Sequence, residues 1–151
     1  MTQKFTVLFD LDGTLIDTAP DLMNAHNHVM QKFGYETKST NEIRNLVGKG
    51  AASMIGKSLW NQARKELKKI KVYDYFEYVA GHNTFDYCKP DPRHLTNVIE
   101  IIQGELNKSL MIGDSETDSE SAKAAGLPFI LLEDGYTDKS INEIYLSLIH
   151  I

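Results

Sequence analysis

The feature that most constrains this chain is residues 5–17, with the sequence FTVLFDLDGTLID. An apolar run of strand length, residues 5–9, leads directly into Asp10 and Asp12. Side chains at positions i and i+2 of a strand point to the same side, so both carboxylates are expected to project into one crevice. Two carboxylates held that close require a cation between them. The stretch therefore predicts a buried central strand, covered on both faces, that ends in a cation site.

Composition narrows the class of protein. With 151 residues, of which 42% are hydrophobic, the chain can bury one core. Its net charge is -5, and its Lys and Arg residues are spread along the chain, which excludes an extended nucleic-acid surface. The single cysteine, Cys88, excludes an internal disulfide and a Cys-rich zinc site. No apolar run reaches membrane-spanning length and no signal peptide is recognised, so a soluble cytoplasmic protein is expected.

The first half of the chain predicts helices. Thr18 is expected to cap a helix with Pro20 in its first turn and Gly34 as its stop. Thr40 is expected to cap a shorter helix, and residues 54–71 show a longer helical pattern.

The second half alternates short apolar strands with helices. Strands are predicted at residues 76–80, 110–112 and 129–132, and a helix with apolar residues from Leu95 to Leu106 lies between the first two. Ser115 is expected to cap a helix that ends at Gly126. A closing amphipathic helix is predicted from Ile141, Ile144, Tyr145 and Leu148. This order favours an α/β fold with a parallel sheet, in which ligands bind beyond the carboxyl ends of the strands.

Polar residues follow those strand ends. Asp10 and Asp12 follow one strand, Asp114 and Asp118 follow another, and Lys89 leads a rigid loop between them. Carboxylates with a lysine suit Mg²⁺ and a phosphate group, because Mg²⁺ prefers a few carboxylates together with water and phosphate oxygens. A carboxylate can also act as a nucleophile toward phosphorus.

Three motifs carry a resemblance to a known family. The stretches DLDGTLIDTAPDL, CKPDP and GDSETDSESAKAAG resemble the acidic and lysine motifs of the haloacid-dehalogenase (HAD) superfamily, and within it the phosphoglycolate phosphatase group. The resemblance implies a HAD-like, Rossmann-like parallel sheet with a helical cap. It also implies Mg²⁺ as cofactor, a small phosphorylated metabolite as substrate, and hydrolysis of a phosphomonoester through an aspartyl-phosphate.

The resemblance assigns roles to individual residues. Asp10 is expected to be the nucleophile and a metal ligand, and Asp12 the general acid and base, with its main-chain carbonyl on the metal. Lys89 is expected to hold phosphate and nucleophile together. The remaining assignments are Gly13 and Thr14 as substrate-binding residues and Asp114 and Asp118 as metal ligands.

One expected part of the family pattern is missing. The second motif, a strand ending in Thr or Ser, has no counterpart between the cap helices and residues 76–80, so the chain is interpreted as a core of residues 1–15 and 72–151 with a truncated cap of residues 16–71. The missing strand leaves an edge of the first strand exposed. One hypothesis is that residues 76–80 pair with it and bring Asn83 or Thr84 near the phosphate. The other is a homo-oligomer in which a neighbouring chain pairs with this edge.

Other interpretations remain for parts of this pattern. A calcium loop is disfavoured because its sixth position is Leu15 rather than Gly. Lys89 could lie in an ordinary surface turn, and Asp114 could only cap a helix. The alternative function is that of a shortened, catalytically weak or inactive relative, which serves as a metal-binding or interaction module or is a gene remnant.

Overall fold

The computed structural model describes residues 5–47, 67–81, 84–133 and 135–137. These parts of the chain contain three strands and four α-helices that are described in full, and residues 67–69 form the end of a further helix. Their bounds are β1 (Thr6–Phe9), α1 (Ala19–Lys32), α2 (Thr40–Val47), α3 (Arg93–Ile101), β2 (Ser109–Gly113), α4 (Glu116–Ala125) and β3 (Phe129–Leu131). Short 3-10 helices lie at Tyr73–Tyr75 and Leu106–Lys108. The α/β fold class predicted from the sequence is confirmed.

The three strands form a parallel sheet in the order β1-β2-β3. Phe9 is opposite Ile112 in the β1–β2 pair, and the main-chain N–H of Asp10 donates to the Ile112 carbonyl at 2.9 Å, one residue beyond the end of β1. Because the strands are parallel, their carboxyl ends meet at one edge of the sheet. Asp10 and Asp114 therefore leave neighbouring strands at the same edge.

The core lies between one face of the sheet and two helices. Buried apolar residues from β1, β2, α3, α4 and the turn after α4 pack together there: Leu8, Leu95, Val98, Ile99, Met111, Ala122 and Leu127. On the opposite face, Val7 and Phe9 of β1 and Ile130 of β3 are 44%, 43% and 51% exposed. The alternating burial of β1 is that of a strand with one covered face.

The prediction that β1 is a central strand covered on both faces is wrong for the described part of the chain, where β1 lies at the sheet edge.

The predicted strand at residues 76–80 is also wrong. Phe76 is extended, but its ring packs edge-on against Phe9 at 6.3 Å, and no ladder joins this segment to β1 in the described residues. Tyr78 and Ala80 pack against the core, so side-chain burial rather than strand pairing holds the segment. The hypothesis that residues 76–80 replace the missing strand is therefore wrong.

Helix ends follow the sequence signals with some exceptions. The Ser115 hydroxyl and the Asp118 carboxylate form a reciprocal capping box at α4, which ends at Gly126 with a φ of 71°, as predicted. At α2 the capping side chain belongs to Ser39, which exchanges hydrogen bonds with Glu42, rather than to the predicted Thr40.

Of three further predicted helices, one ends earlier than expected, and the other two lie wholly or mostly outside the described residues. The helix predicted to reach Leu106 ends at Ile101, because Gln103 adopts a φ of 56° that a helix cannot contain. The closing helix of Ile141, Ile144, Tyr145 and Leu148, and most of the pattern at 54–71, lie outside the described residues.

Helix α1 contacts α2 and the segment just before it. The Asn27 side chain of α1 both donates to and accepts from the backbone of Lys38, each at 2.8 Å. The Thr40 hydroxyl donates to the Met23 sulfur.

The division into core and cap stays a prediction. Among the helices described, none is long and apolar enough to cross a membrane.

The packing of α3 predicts different effects for two isoleucines two positions apart. Ile99 is 3% exposed and Ile101 is 47% exposed. Ile99→Ala leaves a cavity against the sheet and is expected to lower the free energy of unfolding by about 2–5 kcal/mol. Ile101→Ala, the matched control, is expected to cost less than about 1 kcal/mol. Urea denaturation measures both, and equal losses would contradict this orientation of α3.

Candidate active site

Three carboxylates meet at the carboxyl edge of the sheet. Asp10 follows β1, Asp114 follows β2, and Asp118 lies in the first turn of α4. One carboxylate oxygen from each lies within 4.8 Å of the others. Asp114 and Asp118 are almost completely buried, at 1% and 0% exposed. The structure thus brings together three of the four predicted metal ligands through their side chains.

Lys89 joins two of these carboxylates. Its ammonium donates to Oδ1 of Asp10 and to Oδ1 of Asp118. Burial alone lowers the pKa of Lys89, but the charges of Asp10 and Asp118 outweigh burial and raise that pKa above its ordinary value. Lys89 therefore stays charged at neutral pH. Because its side chain lies between two clustered carboxylates, the interpretation of Lys89 as part of an ordinary surface turn is wrong.

One ammonium does not balance three carboxylates. Burial raises the pKa of Asp10 to about 7; Lys89 opposes this rise, while Asp118 and Asp114 add to it. Burial also raises the pKa of Asp114. The cluster is therefore short of positive charge, which a divalent cation would supply.

The donor set fits Mg²⁺. All three side chains offer oxygen atoms, which are the ligands that this hard cation takes. A carboxylate has about four lone-pair sites, and the hydrogen bonds of the described residues to Asp10, Asp114 and Asp118 leave sites free on each.

Asp114 is fixed by two neighbouring segments. The Thr14 hydroxyl donates to its Oδ1 at 2.9 Å, and the main-chain N–H of Tyr136 donates to its Oδ2 at 2.6 Å. Gly13 has a φ of 83°, and a Cβ at that position would lie 2.4 Å from Asp114 Oδ2. The loop after β1 can approach this carboxylate only because residue 13 is glycine. Gly13 and Thr14, predicted to bind substrate, thus contact Asp114 in the structure.

Asp12 lies apart from the three clustered carboxylates. Its Oδ1 accepts a hydrogen bond of 2.7 Å from the hydroxyl of Thr18, and its side chain does not belong to the group of Asp10, Asp114 and Asp118. Thr18 precedes α1 but makes no side-chain capping bond there, contrary to the prediction. Its hydroxyl holds Asp12 instead. A metal contact of Asp12 through its main-chain carbonyl stays a prediction.

Asn83 and Thr84 were the predicted replacements for the phosphate donor of the missing second motif, and only Thr84 lies among the described residues. The Thr84 hydroxyl accepts a 2.7 Å hydrogen bond from the N–H of Gly81 and so closes a local turn. Asn83 lies outside the described residues.

Sequence reasoning missed the residues that support the site. Tyr136 donates its hydroxyl to Oδ1 of Asp17 at 2.6 Å, and Arg44 of α2 donates to Oδ2 of Asp17 at 2.5 Å. The only sequence signal for Tyr136 was its place just beyond the carboxyl end of β3, where the other site residues also follow strands.

Known proteins share this architecture. A family model for haloacid dehalogenase-like hydrolases matches residues 7–63 and 56–132. The chain belongs to this family. A phosphoglycolate phosphatase from Mesorhizobium japonicum is 31% identical over 195 positions, which cover 91% of this chain and 86% of the relative. One from Caulobacter vibrioides is 24% identical over 202 positions, covering 95% and 85%.

A solved structure has the same fold as this chain. A predicted phosphoglycolate phosphatase from Haemophilus somnus has a TM-score of 0.79 and 19% identity, and the match covers 95% of this chain and 92% of that one. The likeness shows the same fold. The alignment with the Mesorhizobium relative spans more positions than the 151 residues present here, so the relative carries internal segments that this chain lacks. The recognition of a shortened HAD-like hydrolase is confirmed.

The charge balance predicts how Lys89 and a divalent cation compete. Lys89→Met leaves the buried Asp118 unpaired, and is expected to lower the free energy of unfolding by about 3 kcal/mol without metal. Because the site is then more negative, MgCl₂ is expected to raise the melting temperature of this variant more than that of the unsubstituted protein.

Lys108→Met is the control. Among the described salt bridges Lys108 pairs only with Glu105, whose side chain is far more exposed than that of Asp118. Thermal unfolding with and without MgCl₂ measures all three proteins. Equal Mg²⁺-induced shifts for the Lys89 variant and the unsubstituted protein would contradict the shared site.

Proposed function

We propose that this chain is a Mg²⁺-dependent phosphatase that hydrolyses a small phosphomonoester, with phosphoglycolate as the favoured substrate. The observation that carries the proposal is the Lys89 ammonium between Asp10 and Asp118, with Asp114 beside them. Such a group offers a nucleophile, a fixed positive charge and a set of oxygen ligands at one point. The names of the curated relatives support the choice of substrate.

The first step forms an aspartyl-phosphate. A carboxylate oxygen of Asp10 attacks phosphorus, the bond from phosphorus to the substrate oxygen breaks, and Asp12 gives its proton to that oxygen. Asp12 lies outside the carboxylate cluster, and the hydrogen bond from Thr18 to its Oδ1 fixes the position of its carboxyl group. Lys89 neutralises charge on the transferred phosphoryl group.

The second step releases phosphate. Asp12, now ionised, takes a proton from water as the water oxygen attacks phosphorus, and the bond between phosphorus and Asp10 breaks. Asp10, Asp114 and Asp118 would hold Mg²⁺. The ion would supply positive charge against the negative charge of the phosphate group.

Phosphate release tests this function. Purified protein with MgCl₂ is expected to release phosphate from phosphoglycolate and from p-nitrophenyl phosphate, and EDTA is expected to abolish both activities. Asp10→Asn is expected to lower kcat by at least about a thousandfold, because an amide is a poor nucleophile. Asp21→Asn, on the exposed first turn of α1, is the matched control and is expected to retain activity.

The outcomes separate the candidate functions. Activity that survives Asp10→Asn would reject Asp10 as nucleophile. Mg²⁺ binding without turnover of either substrate would support the alternative of an inactive metal-binding relative.

We also propose that two copies pair through the edge of β1 that has no partner strand among the described residues. In the described sheet β1 pairs only with β2, and its Val7 side chain is 44% exposed. An unpaired strand edge with apolar side chains is a template for pairing with another chain. Val7→Lys is expected to convert a dimer to a monomer, whereas Val29→Lys on α1, where Val29 is 45% exposed, leaves the dimer intact. Light scattering measures the mass, and a monomer at all concentrations would contradict this pairing.

A further inference from the structure

The backbone of Tyr136 contacts Asp114, one of the proposed metal ligands. Its N–H donates to Oδ2 of Asp114, and the preceding Gly135 packs so closely that a Cβ there would lie 2.1 Å from the Cβ of Asp114. Its ring lies against the loop after β1, since a Cβ at Gly13 would be 3.0 Å from Tyr136 Cγ. The side chain is buried, at 5% exposed.

The hydroxyl of Tyr136 reaches the other side of the site. It donates to Oδ1 of Asp17 at 2.6 Å and accepts the main-chain N–H of Ala19 at 2.9 Å. Between these two residues lies Thr18, whose hydroxyl donates to Asp12 and is 3.5 Å from the Tyr136 oxygen. One tyrosine therefore connects Asp114 to the short segment that holds Asp12.

A residue of the predicted cap, Arg44, joins the same hydrogen-bond network. Arg44 of α2 pairs with Oδ2 of Asp17, on the oxygen that Tyr136 leaves free. The Tyr136 hydroxyl, together with Arg44, holds the pKa of the Asp17 carboxyl below its ordinary value, so Asp17 remains charged and can accept from both.

We propose that Tyr136 is a positioning residue that sets the general acid Asp12 relative to the metal ligand Asp114, acting through Thr18 at the start of α1. A buried tyrosine that only filled space would need one partner for its hydroxyl. This hydroxyl instead joins both residues that flank Thr18, and the backbone of the same residue holds Asp114. The role rests on the proposed function, in which Asp12 protonates the leaving alcohol.

The test uses two leaving groups. Phosphoglycolate releases an alkoxide that needs a proton, whereas p-nitrophenyl phosphate releases a stable phenolate that does not. Because kcat/KM reports the barrier from free enzyme and substrate to the first transition state, a displaced general acid lowers it selectively for phosphoglycolate. Tyr136→Phe keeps the ring and the backbone N–H. It is expected to lower kcat/KM about tenfold for phosphoglycolate and less than about twofold for p-nitrophenyl phosphate.

Two further sets of variants complete the design. Thr18→Val removes the bond to Asp12 and is expected to reproduce the selective loss, while Thr18→Ser restores it. Tyr87→Phe is the matched control, because the Tyr87 hydroxyl accepts from Asn97 of α3 and contacts none of the described site residues through an assigned hydrogen bond. It is expected to leave both substrates unaffected. Equal losses on the two substrates for Tyr136→Phe, or no loss on either, overturn the proposal.

A measurement without turnover separates this inference from the proposed function. In Tyr136→Phe the amide of Ala19 loses its 2.9 Å bond to the hydroxyl and keeps the longer bond of 3.3 Å to Oδ1 of Asp17. Its hydrogen exchange is therefore expected to quicken at least about threefold. The Mg²⁺-induced rise in melting temperature stays unchanged, since the backbone N–H on Asp114 remains. If the unsubstituted protein turns over neither substrate, the proposed function fails and the exchange rate decides: quicker exchange supports the link, and unchanged exchange overturns it.

Discussion

The ammonium of Lys89 between Asp10 and Asp118 is the interaction on which the rest of the site depends. Like charges at the carboxyl edge of a parallel sheet repel one another, and burial makes that repulsion costly. Lys89 compensates only part of it, because Asp114 brings a third carboxylate. The residual deficit of positive charge distinguishes this edge from a simple buried ion pair, and a divalent cation would compensate it.

Two kinds of support hold the carboxylates. Asp10 continues β1 and is tied to β2 by its backbone, while Asp118 is held by the capping box of α4. Asp114 depends on loops instead, with Thr14 on one side and Tyr136 on the other. Strands and helix ends give precise positions because their own hydrogen bonds fix them. Loops can do so only where a residue such as Tyr136 ties several segments together.

The shortening of the chain has its clearest consequence at β1. Relatives carry internal segments that are absent here, and in the described structure β1 is an edge strand with one exposed face. Residues 76–80 do not replace the missing neighbour, since they pack by their side chains and form no ladder with β1. The fold nonetheless keeps β1 against β2, and with it the meeting of Asp10 and Asp114 at one sheet edge.

The sequence alone determined the family and the parallel α/β class. It also predicted that Asp10, Asp114, Asp118 and Lys89 lie close together, because strand-end acids and capping signals are local in the chain. It correctly predicted that Ser115 caps a helix. It also predicted that the Thr18 side chain caps α1, whereas the Thr18 hydroxyl donates to Asp12. It also missed Tyr136 and the edge position of β1. These depend on contacts between residues far apart in sequence, as in the hydrogen bond from Tyr136 to Asp17. Only the tertiary structure decides which distant segments share a hydrogen bond, because local patterns carry no information on the partner.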